Sequence, residues 1–506
     1  MELYFVVTEL SPVLRASSAA DAVFSLTKAL KSLGHRVTVA MPRYDAFERA
    51  GILVARRLTP MKLPGVTSPK VPSEVVLFDA RLSSGVDLVL FDAKGPDGES
   101  LYHGVEAKDL ERIDPADSLS ILRFSTLCRA AVEHARQRAI AGQPYEVLHA
   151  HDWATAPTTY LARDVEELAG LRTMLTLHDL SGQVVFGREA LAALGLDAAH
   201  FTPETLEFYG GVSFAKAGIL AADAITAPSP AYAAALLTPE GGERLDGVLR
   251  ARAGRARHPE PVLGVQHGID ASVYNPAIDS ALATRYDADD FSNKGRCKSA
   301  LLKSLELEIA PERPLFVYTG RLDEPAVLAM LGEAARYILK QDGALVLGAQ
   351  PALTESGLAG GGSAALEALR AQLARAPQQS KLLPRCDEAT AHRLLAAADF
   401  VLVPALREPT GVPAARAQRY GAVPIASRTG GLVDAVVDAD AALESGTGLL
   451  FDQPTGEALV GAIGRAFAAH AHPRFAALVR RVLRLELGWD RPARRYAQLY
   501  RSLAGA

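Results

Sequence analysis

The sequence predicts an α/β protein with two doubly wound, Rossmann-like domains that face each other across a cleft. Short apolar runs alternate with longer segments of helical periodicity along the chain. The alternation restarts in the second half, and 506 residues are enough to build two hydrophobic cores. Strand, helix and strand in succession indicate parallel sheets with right-handed crossovers.

The first half opens with a strand, a helix and a second strand. Residues 3–7 are apolar on both faces, which is typical of a buried strand. Residues 19–33 carry an apolar stripe at helical spacing and are followed by Gly34, a common helix terminator. Residues 36–40 again have the composition of a strand. Further strands are predicted at residues 147–150 and 173–177.

The second half repeats this order. Strands are predicted at residues 314–319, 344–347 and 400–404, and a helix is predicted at 389–398. Gly268 and Pro276 interrupt the regular pattern between the halves. We therefore expect one domain over residues 1–265 and a second over residues 266–485.

Composition excludes several classes of protein. The net charge of −4 and the pI of about 6.3 argue against a nucleic-acid-binding protein, which normally carries a basic excess. The three cysteines are far apart and form no CxxC motif, so a reducing cytosol is expected. No apolar run approaches the length of a membrane span. These observations predict a cytoplasmic protein without a membrane partner.

Glycine-containing turns follow two of the predicted strands of the second half. Glu408-Pro409-Thr410-Gly411 lies between a strand and a segment of helical composition, and Thr429-Gly430-Gly431 is a second turn of this kind. A helix N-terminus offers unpaired N–H groups that suit a phosphate. The alternative is a plain turn in which Glu408 caps the helix. Arg321 also follows a strand, and strand ends in open α/β sheets line the binding crevice.

Histidines and an aspartate follow strands of the first half. His149 and His151 alternate along one strand, so they share a face, but no third metal ligand is evident nearby. Asp152 comes directly after this strand, and His178 ends the next one. Each histidine could be a structural residue; their convergence on one crevice favours a site.

The chain resembles the bacterial glycogen synthases and plant starch synthases of the ADP-glucose type, which are retaining glycosyltransferases with the GT-B fold. The resemblance covers residues 3–499. Its most specific stretches are His149-Ala150-His151-Asp152-Trp153, Glu207-Phe208-Tyr209-Gly210, Phe214-Ala215-Lys216-Ala217-Gly218, Gly268-Ile269-Asp270, Glu408-Pro409-Thr410-Gly411, Thr429-Gly430-Gly431-Leu432 and Trp489-Asp490-Arg491.

The resemblance implies transfer of glucose from ADP-glucose to the non-reducing end of an α-1,4-glucan, without metal or cofactor. It implies that residues 486–506 form a helix that crosses back to the N-terminal domain. Glu9 matches an acidic residue of the first loop. The residues matching the sugar-side set are Glu408, His178 and Asp152; those matching donor-binding positions are Arg15, Lys298, Arg321, Thr410, Gly411, Val412, Thr429 and Gly430.

The chain departs from the family on the diphosphate side. Arg15 replaces a lysine, and Ser17 and Ser18 replace glycines that could need positive φ or a close approach of phosphate. Ala326 stands where the family has a phosphate-binding lysine, and His267 replaces an asparagine.

Two hypotheses follow from these departures. One is an active synthase in which Arg15, Arg407 or Lys298 supplies the missing charge. The other is an inactive or impaired paralogue that acts as a glucan-binding or regulatory protein.

Overall fold

A computed structural model describes residues 1–66, 68–111, 113–253, 260–349 and 361–505. The chain divides into two compact units, one of residues 1–266 with 490–506 and the other of residues 267–489. The division after Gln266 lies one residue from the boundary expected after residue 265.

The first unit is a mixed α/β fold. Three short 3-10 helices lie at Glu166–Leu168, Leu180–Gly182 and Ala198–His200. In chain order, the other elements before the second unit are β1 (Glu2–Val6), α1 (Ser18–Ser32), β2 (Arg36–Pro42), α2 (Ala46–Arg49), β3 (Val54–Arg56), β4 (Met61–Lys62), β5 (Glu74–Arg81), β6 (Asp87–Asp92), α3 (Lys108–Glu111), α4 (Ser118–Ile140), β7 (Val147–His151), α5 (Asp152–Thr155), α6 (Pro157–Ala162), β8 (Arg172–Thr176), β9 (Val185–Phe186), α7 (Glu189–Leu194), β10 (Glu207–Phe208), β11 (Gly211–Ser213), α8 (Phe214–Ala221), β12 (Ala224–Ala227), α9 (Pro230–Ala235), α10 (Asp246–Arg250) and β13 (Leu263–Gly264).

The main sheet of the first unit has the strand order β13-β12-β8-β7-β1-β2-β6-β5-β3, with β4 paired to β5. The strands from β13 to β6 are parallel, and β5, β3 and β4 add antiparallel pairs at one edge. A separate small antiparallel sheet joins β10, β11 and β9. The central strands β1 and β7 are almost wholly buried, because helices cover both faces of a parallel sheet.

The second unit contains one parallel sheet of order β16-β15-β14-β17-β18-β19. Its elements are α11 (Asn293–Ser304), β14 (Leu315–Gly320), α12 (Pro325–Lys340), β15 (Ala344–Ala349), α13 (Gly361–Leu373), β16 (Ser380–Leu383), α14 (Glu388–Ala397), β17 (Phe400–Val403), α15 (Val412–Arg419), β18 (Val423–Ser427), α16 (Leu432–Ala435), β19 (Leu449–Phe451), α17 (Gly456–Ala471) and α18 (Phe475–Leu483).

Helix α12 illustrates how the second unit buries its core. Val327, Leu331, Ala334 and Ile338 recur at helical spacing and are buried, while Lys340 lies in the last turn, where a cation suits the helix dipole. The buried stripe packs with Phe316, Leu345 and residues of the other strands in one hydrophobic cluster.

The last helix, α19 (Asp490–Gly505), belongs to the first unit. It buries Tyr496 and Tyr500, and the hydroxyl of Tyr500 lies 2.8 Å from Nδ1 of His149 in β7. The Nε of Arg172 donates to the carbonyl oxygen of Leu503 at 3.2 Å. The helix therefore completes the core on which β7 rests.

The strands and helices predicted from the sequence are confirmed, with bounds that differ by one or two residues at most ends. The α/β class with parallel sheets in two domains is also confirmed. Within the ranges that the structure describes, no helix is long and apolar enough to cross a bilayer. The cleft between the domains and the cytoplasmic location stay predictions.

Candidate active site

Asp152 follows β7 at the carboxyl-terminal edge of the first sheet. Its Oδ1 accepts hydrogen bonds from the backbone N–H groups of His178 at 2.8 Å and Asp179 at 3.2 Å. These residues follow β8, the neighbour of β7, so the carboxylate joins the ends of two adjacent strands. Asp152 has φ of +60°, a strained conformation that such local bonding maintains. Burial raises the pKa of its carboxyl well above the usual value.

His178 lies beside His151 at the same edge. Its Nε2 is 2.9 Å from Nδ1 of His151, and both side chains are buried. Burial lowers the pKa of His178 to about 3, so its imidazole is neutral at physiological pH. A neutral imidazole can donate to or accept from a sugar hydroxyl. The sequence indicated His151 only as a metal-ligand candidate and missed its contact with His178.

His149 is a buried residue of the core. Besides Tyr500 it contacts Oγ1 of Thr176 through Nε2 at 2.6 Å. In the part of the chain that the structure describes, no group of three His, Cys, Asp or Glu side chains could hold a metal ion.

The first loop, between β1 and α1, is held by Glu9. Its Oε2 accepts from the backbone N–H groups of Ala16 at 2.5 Å and Ser17 at 2.9 Å. Its Oε1 accepts from the hydroxyl of Ser17 at 2.5 Å. Burial raises the pKa of Glu9 to about 7. This role of Glu9 had no local sequence signal beyond its match to an acidic family position.

Ser17 and Ser18 occupy the start of α1. Ser17 has φ of −142° and is the N-cap of α1, with its Oγ accepting from the N–H of Ala19 at 3.0 Å. Ser18 is the first residue of the helix. The φ of Ser17 is thus negative, so a side chain there meets no conflict with positive φ; the alternative, a close approach of phosphate, stays a prediction. Arg15, in the same loop, pairs with Asp21 at 2.7 Å and is about 40% exposed.

Arg321 follows β14 at the carboxyl-terminal edge of the second sheet. Its Nε lies 3.1 Å from Oδ2 of Asp323, and the side chain is 47% exposed. Ala326 is exposed in the first turn of α12, two residues after Glu324. Burial, followed by the charge of Asp323, raises the pKa of Glu324. The carboxylate of Asp323 therefore contacts the guanidinium expected to bind phosphate, and the charge of this guanidinium also acts on Glu324.

The turn after β17 is organised by Glu408. Its Oε1 accepts from the N–H groups of Thr410 at 3.0 Å and Gly411 at 3.1 Å, and from the hydroxyl of Thr410 at 2.5 Å. Val412 donates its N–H to Oγ1 of Thr410 at 3.1 Å, and α15 begins there. These contacts agree with the interpretation that Glu408 caps the turn. That the same amides face a phosphate stays a prediction.

The turn after β18 packs directly against the turn of Glu408. The N–H of Gly431 donates to the carbonyl oxygen of Glu408 at 2.8 Å, and Oγ1 of Thr429 donates to Leu406 at 3.4 Å. Gly430 has φ of +46°, and a Cβ there would lie 2.2 Å from the same carbonyl oxygen. A Cβ on Gly411 would lie 2.4 Å from the carbonyl oxygen of Gly431. Only glycine at positions 411 and 430 therefore permits the backbones of the two turns to lie this close to each other.

Lys298 does not join these residues. Its Nζ donates to Oδ2 of Asp399 at 2.6 Å and to the carbonyl oxygen of Arg313 at 2.6 Å. Asp399 and Arg313 precede β17 and β14, so the lysine lies at the amino-terminal edge of the sheet, opposite Arg321 and Glu408. Its side chain is buried in this ion pair. The expectation that Lys298 binds the donor is corrected accordingly.

The structure thus brings Arg321, Glu408, Thr410, Gly411, Val412, Thr429 and Gly430 to one edge of the second sheet. It brings Asp152 and His178 to the corresponding edge of the first sheet, with Glu9 and Arg15 on the loop that follows the neighbouring strand β1. His267 is buried against Trp489, with ring centroids 4.9 Å apart.

Comparison with solved structures first defines the class. A sucrose-phosphate synthase from Thermosynechococcus elongatus matches with a TM-score of 0.57 at 17% identity, covering 99% of each chain. The match is at the level of the fold, that of GT-B glycosyltransferases. The catalytic domain of starch synthase IV from Arabidopsis thaliana, bound to ADP and acarbose, matches with a TM-score of 0.83 at 25% identity over the whole of both chains.

Comparison with sequences defines the family. Residues 2–251 match the starch synthase catalytic domain, and residues 303–474 match the glycosyl transferases group 1 domain. A glycogen synthase of Anaeromyxobacter sp. is 36% identical over the full length of both chains, and one of Opitutus terrae is 33% identical over 99% of each. The chain belongs to the glycogen and starch synthase family and is a glycogen synthase-like glucosyltransferase. The resemblance inferred from the motifs is confirmed.

Replacing Lys298 by Met should destabilise the second unit without weakening donor binding. The change leaves Asp399 without its cation, which typically costs about 3 kcal/mol in a buried pair. Hydrogen exchange of the β14 and β17 amides should accelerate, while β7 and β8 serve as internal reference. Lys303→Met, an exposed change on the same helix, is the control. A higher KM for the nucleotide sugar in the folded Lys298 variant alone would contradict the structural role.

The raised pKa of Glu9 makes stability depend on pH. The folded protein holds this proton up to about pH 7, whereas the unfolded chain releases it near 4.5. Folding therefore loses stability as pH rises between these values, by up to about 3 kcal/mol. In urea unfolding of the parent and Glu9→Gln, the parent's stability relative to the variant should decline across this window. A difference that is constant with pH would refute the assignment.

Proposed function

We propose that this protein transfers glucose from ADP-glucose to the non-reducing end of an α-1,4-glucan with retention at the anomeric carbon. The family to which it belongs uses a nucleotide-sugar donor and a glucan acceptor. The proposal is carried by the two interlocked turns at Glu408–Gly411 and Thr429–Gly431, which place amide groups and a carboxylate at one sheet edge. The ADP and acarbose bound to starch synthase IV support the nucleotide and the type of acceptor.

In this proposal, the second unit binds the diphosphate. The N–H groups of Thr410 and Gly411, which donate to Glu408, would exchange that oxygen for a phosphate oxygen at the positive end of the α15 helix dipole. The adjoining turn at Thr429 and Gly430 would lie on the phosphate side. Arg321 supplies a planar cation that suits a phosphate oxygen pair. It must exchange Asp323 for the donor, so the ion pair competes with donor binding. These groups stabilise charge that develops on the leaving diphosphate.

The sugar-side residues orient the glucose. Glu408 accepts hydrogen bonds from hydroxyl groups after giving up part of its hold on the local amides. His178 is neutral, so it can bond a hydroxyl without adding positive charge next to the leaving group. Asp152 holds the N–H of His178 and so fixes its backbone. Retention follows because the donor and the product are both α-linked.

The alternative of an inactive paralogue finds no support. The proteins described above that are at least 25% identical to this chain are glycogen synthases and a starch synthase. Ser17 and Ser18 are compatible with an ordered first loop. Ala326 does replace a cation of the family, so we expect this enzyme to transfer glucose more slowly than a synthase with lysine at this position, but not to be inactive.

Glucose transfer is tested with labelled ADP-glucose and glycogen. The parent protein should incorporate label into glycogen, and Glu408→Gln should reduce the rate by roughly 10²–10³-fold because an organising group at the transition state is lost. Glu457→Gln, an exposed change on α17, should behave as the parent. If the parent incorporates no more label than Glu408→Gln, the proposed reaction is wrong.

Restoring the cation at position 326 should accelerate the reaction. Ala326→Lys should raise kcat/KM for ADP-glucose by about 10- to 100-fold, the value of one charge-assisted hydrogen bond. Ala326→Gln provides a similar length without charge and should change little. Equal rates for the Lys and Gln variants would show that missing charge at this position does not limit transfer.

A further inference from the structure

A two-residue turn joins β10 to β11 in the small sheet of the first unit. The pairing of Glu207 with Val212 and of Phe208 with Gly211 leaves Tyr209 and Gly210 as the turn. Their φ angles are +48° and +83°. Positive φ at both central positions defines a type I′ turn, which favours Asn, Asp or Gly at the first position. A tyrosine there is sterically unfavourable.

The turn is nevertheless rigidly held. Oε1 of Glu207 accepts from the N–H of Gly210 at 2.7 Å. Nζ of Lys216 donates to the carbonyl oxygens of Glu207 at 2.6 Å and Pro203 at 2.5 Å. Several polar contacts therefore hold Tyr209 in a strained backbone conformation. Such strain is concentrated at functional sites, which indicates a functional role for the tyrosine side chain.

The tyrosine ring is presented to solvent. Tyr209 is 73% exposed, and no other Phe, Tyr or Trp of the described residues is exposed. The guanidinium carbon of Arg244 lies 5.2 Å from the ring centroid, and the ring of Phe208 packs edge-on at 4.8 Å. Arg244 also has positive φ, of +67°. The ring of Tyr209 on the β10–β11 turn and the guanidinium of Arg244 from the segment before α10 are therefore neighbours.

The Tyr209 turn is connected to the loop of His178 through β9 and Gln183. Nε2 of Gln183 donates to the carbonyl oxygen of Glu243, next to Arg244, at 3.2 Å. Gln183 lies in the segment between His178 and β9, and β9 pairs with β11. The turn and the histidine loop therefore belong to one connected substructure.

We propose that Tyr209 and Arg244 form a contact site for the α-glucan acceptor chain. The inference rests on the proposed function for the identity of its ligand. The C–H face of a glucose unit is apolar and stacks on an aromatic ring, while its hydroxyl oxygens accept from a guanidinium. One glucan would contact this site with one of its glucose units while another of its residues is at the transfer position.

The test compares variants by their retardation in native gels containing glycogen, which needs no catalysis. Tyr209→Asn removes the ring and places a favoured residue in the type I′ turn, so thermal stability should be unchanged or higher. Its affinity for glycogen should fall at least about fivefold, as should that of Arg244→Ala, because each loses a direct contact. Tyr209→Phe should bind as the parent. Leu58→Asn, which removes another exposed apolar side chain of the same unit, should also bind as the parent.

Transfer assays separate this site from the proposed reaction. In Tyr209→Asn, KM for glycogen should rise while KM for ADP-glucose stays unchanged. If Tyr209→Asn binds glycogen as the parent does, or if the parent itself is not retarded, the contact site is refuted. If the parent transfers no glucose but its retardation still depends on Tyr209, the proposed reaction fails and the glycogen site stands.

Discussion

Unpaired backbone N–H groups at the carboxyl-terminal edges of the two sheets must find acceptors, and carboxylates of the chain supply them. Asp152 accepts from the amides after β8, Glu9 from the first loop, and Glu408 from the turn before α15. Each loop is thereby shaped around the oxygen atoms of a carboxyl group. The same amides suit phosphate or sugar oxygens, so the internal carboxylates hold the loops in a conformation ready for a ligand.

The charge distribution follows from burial. Burial lowers the pKa of His178 and raises the pKa of Asp152, since the charged form of each is transferred out of water. Positive charge is instead carried by arginines that remain partly exposed and are paired with local carboxylates, as Arg15 is with Asp21 and Arg321 with Asp323. In the proposed function, a diphosphate would displace these pairs, which would lower its affinity but favour a ligand of higher charge over a single carboxylate.

Much of this could be predicted from the sequence. Hydrophobic periodicity located the strands, and the rule that strand ends line the crevice located Asp152, His178, Arg321 and the turn of Glu408. Lys298 was misplaced because a match along the sequence does not tell which edge of a sheet a helical side chain reaches. The negative φ of Ser17 could not be predicted, because the conformation of a position that holds glycine elsewhere is not visible in the residue itself. Its hydroxyl turned out to cap α1.

The contact between Tyr500 and His149 has a consequence for how the chain is made. Tyr496 and Tyr500 of α19 fill the core beneath β7, yet residues 267–489 lie between this helix and the rest of its unit. A ribosome must therefore synthesise the whole second unit before the first can complete its core. During this interval the core of the first unit is incompletely packed. Its parallel strands are therefore accessible to chaperones and to aggregation for longer than their position in the sequence suggests. The unit that contains Asp152 and His178 is thus the first to be synthesised, yet its core is completed only after the last residues of the second unit have been made.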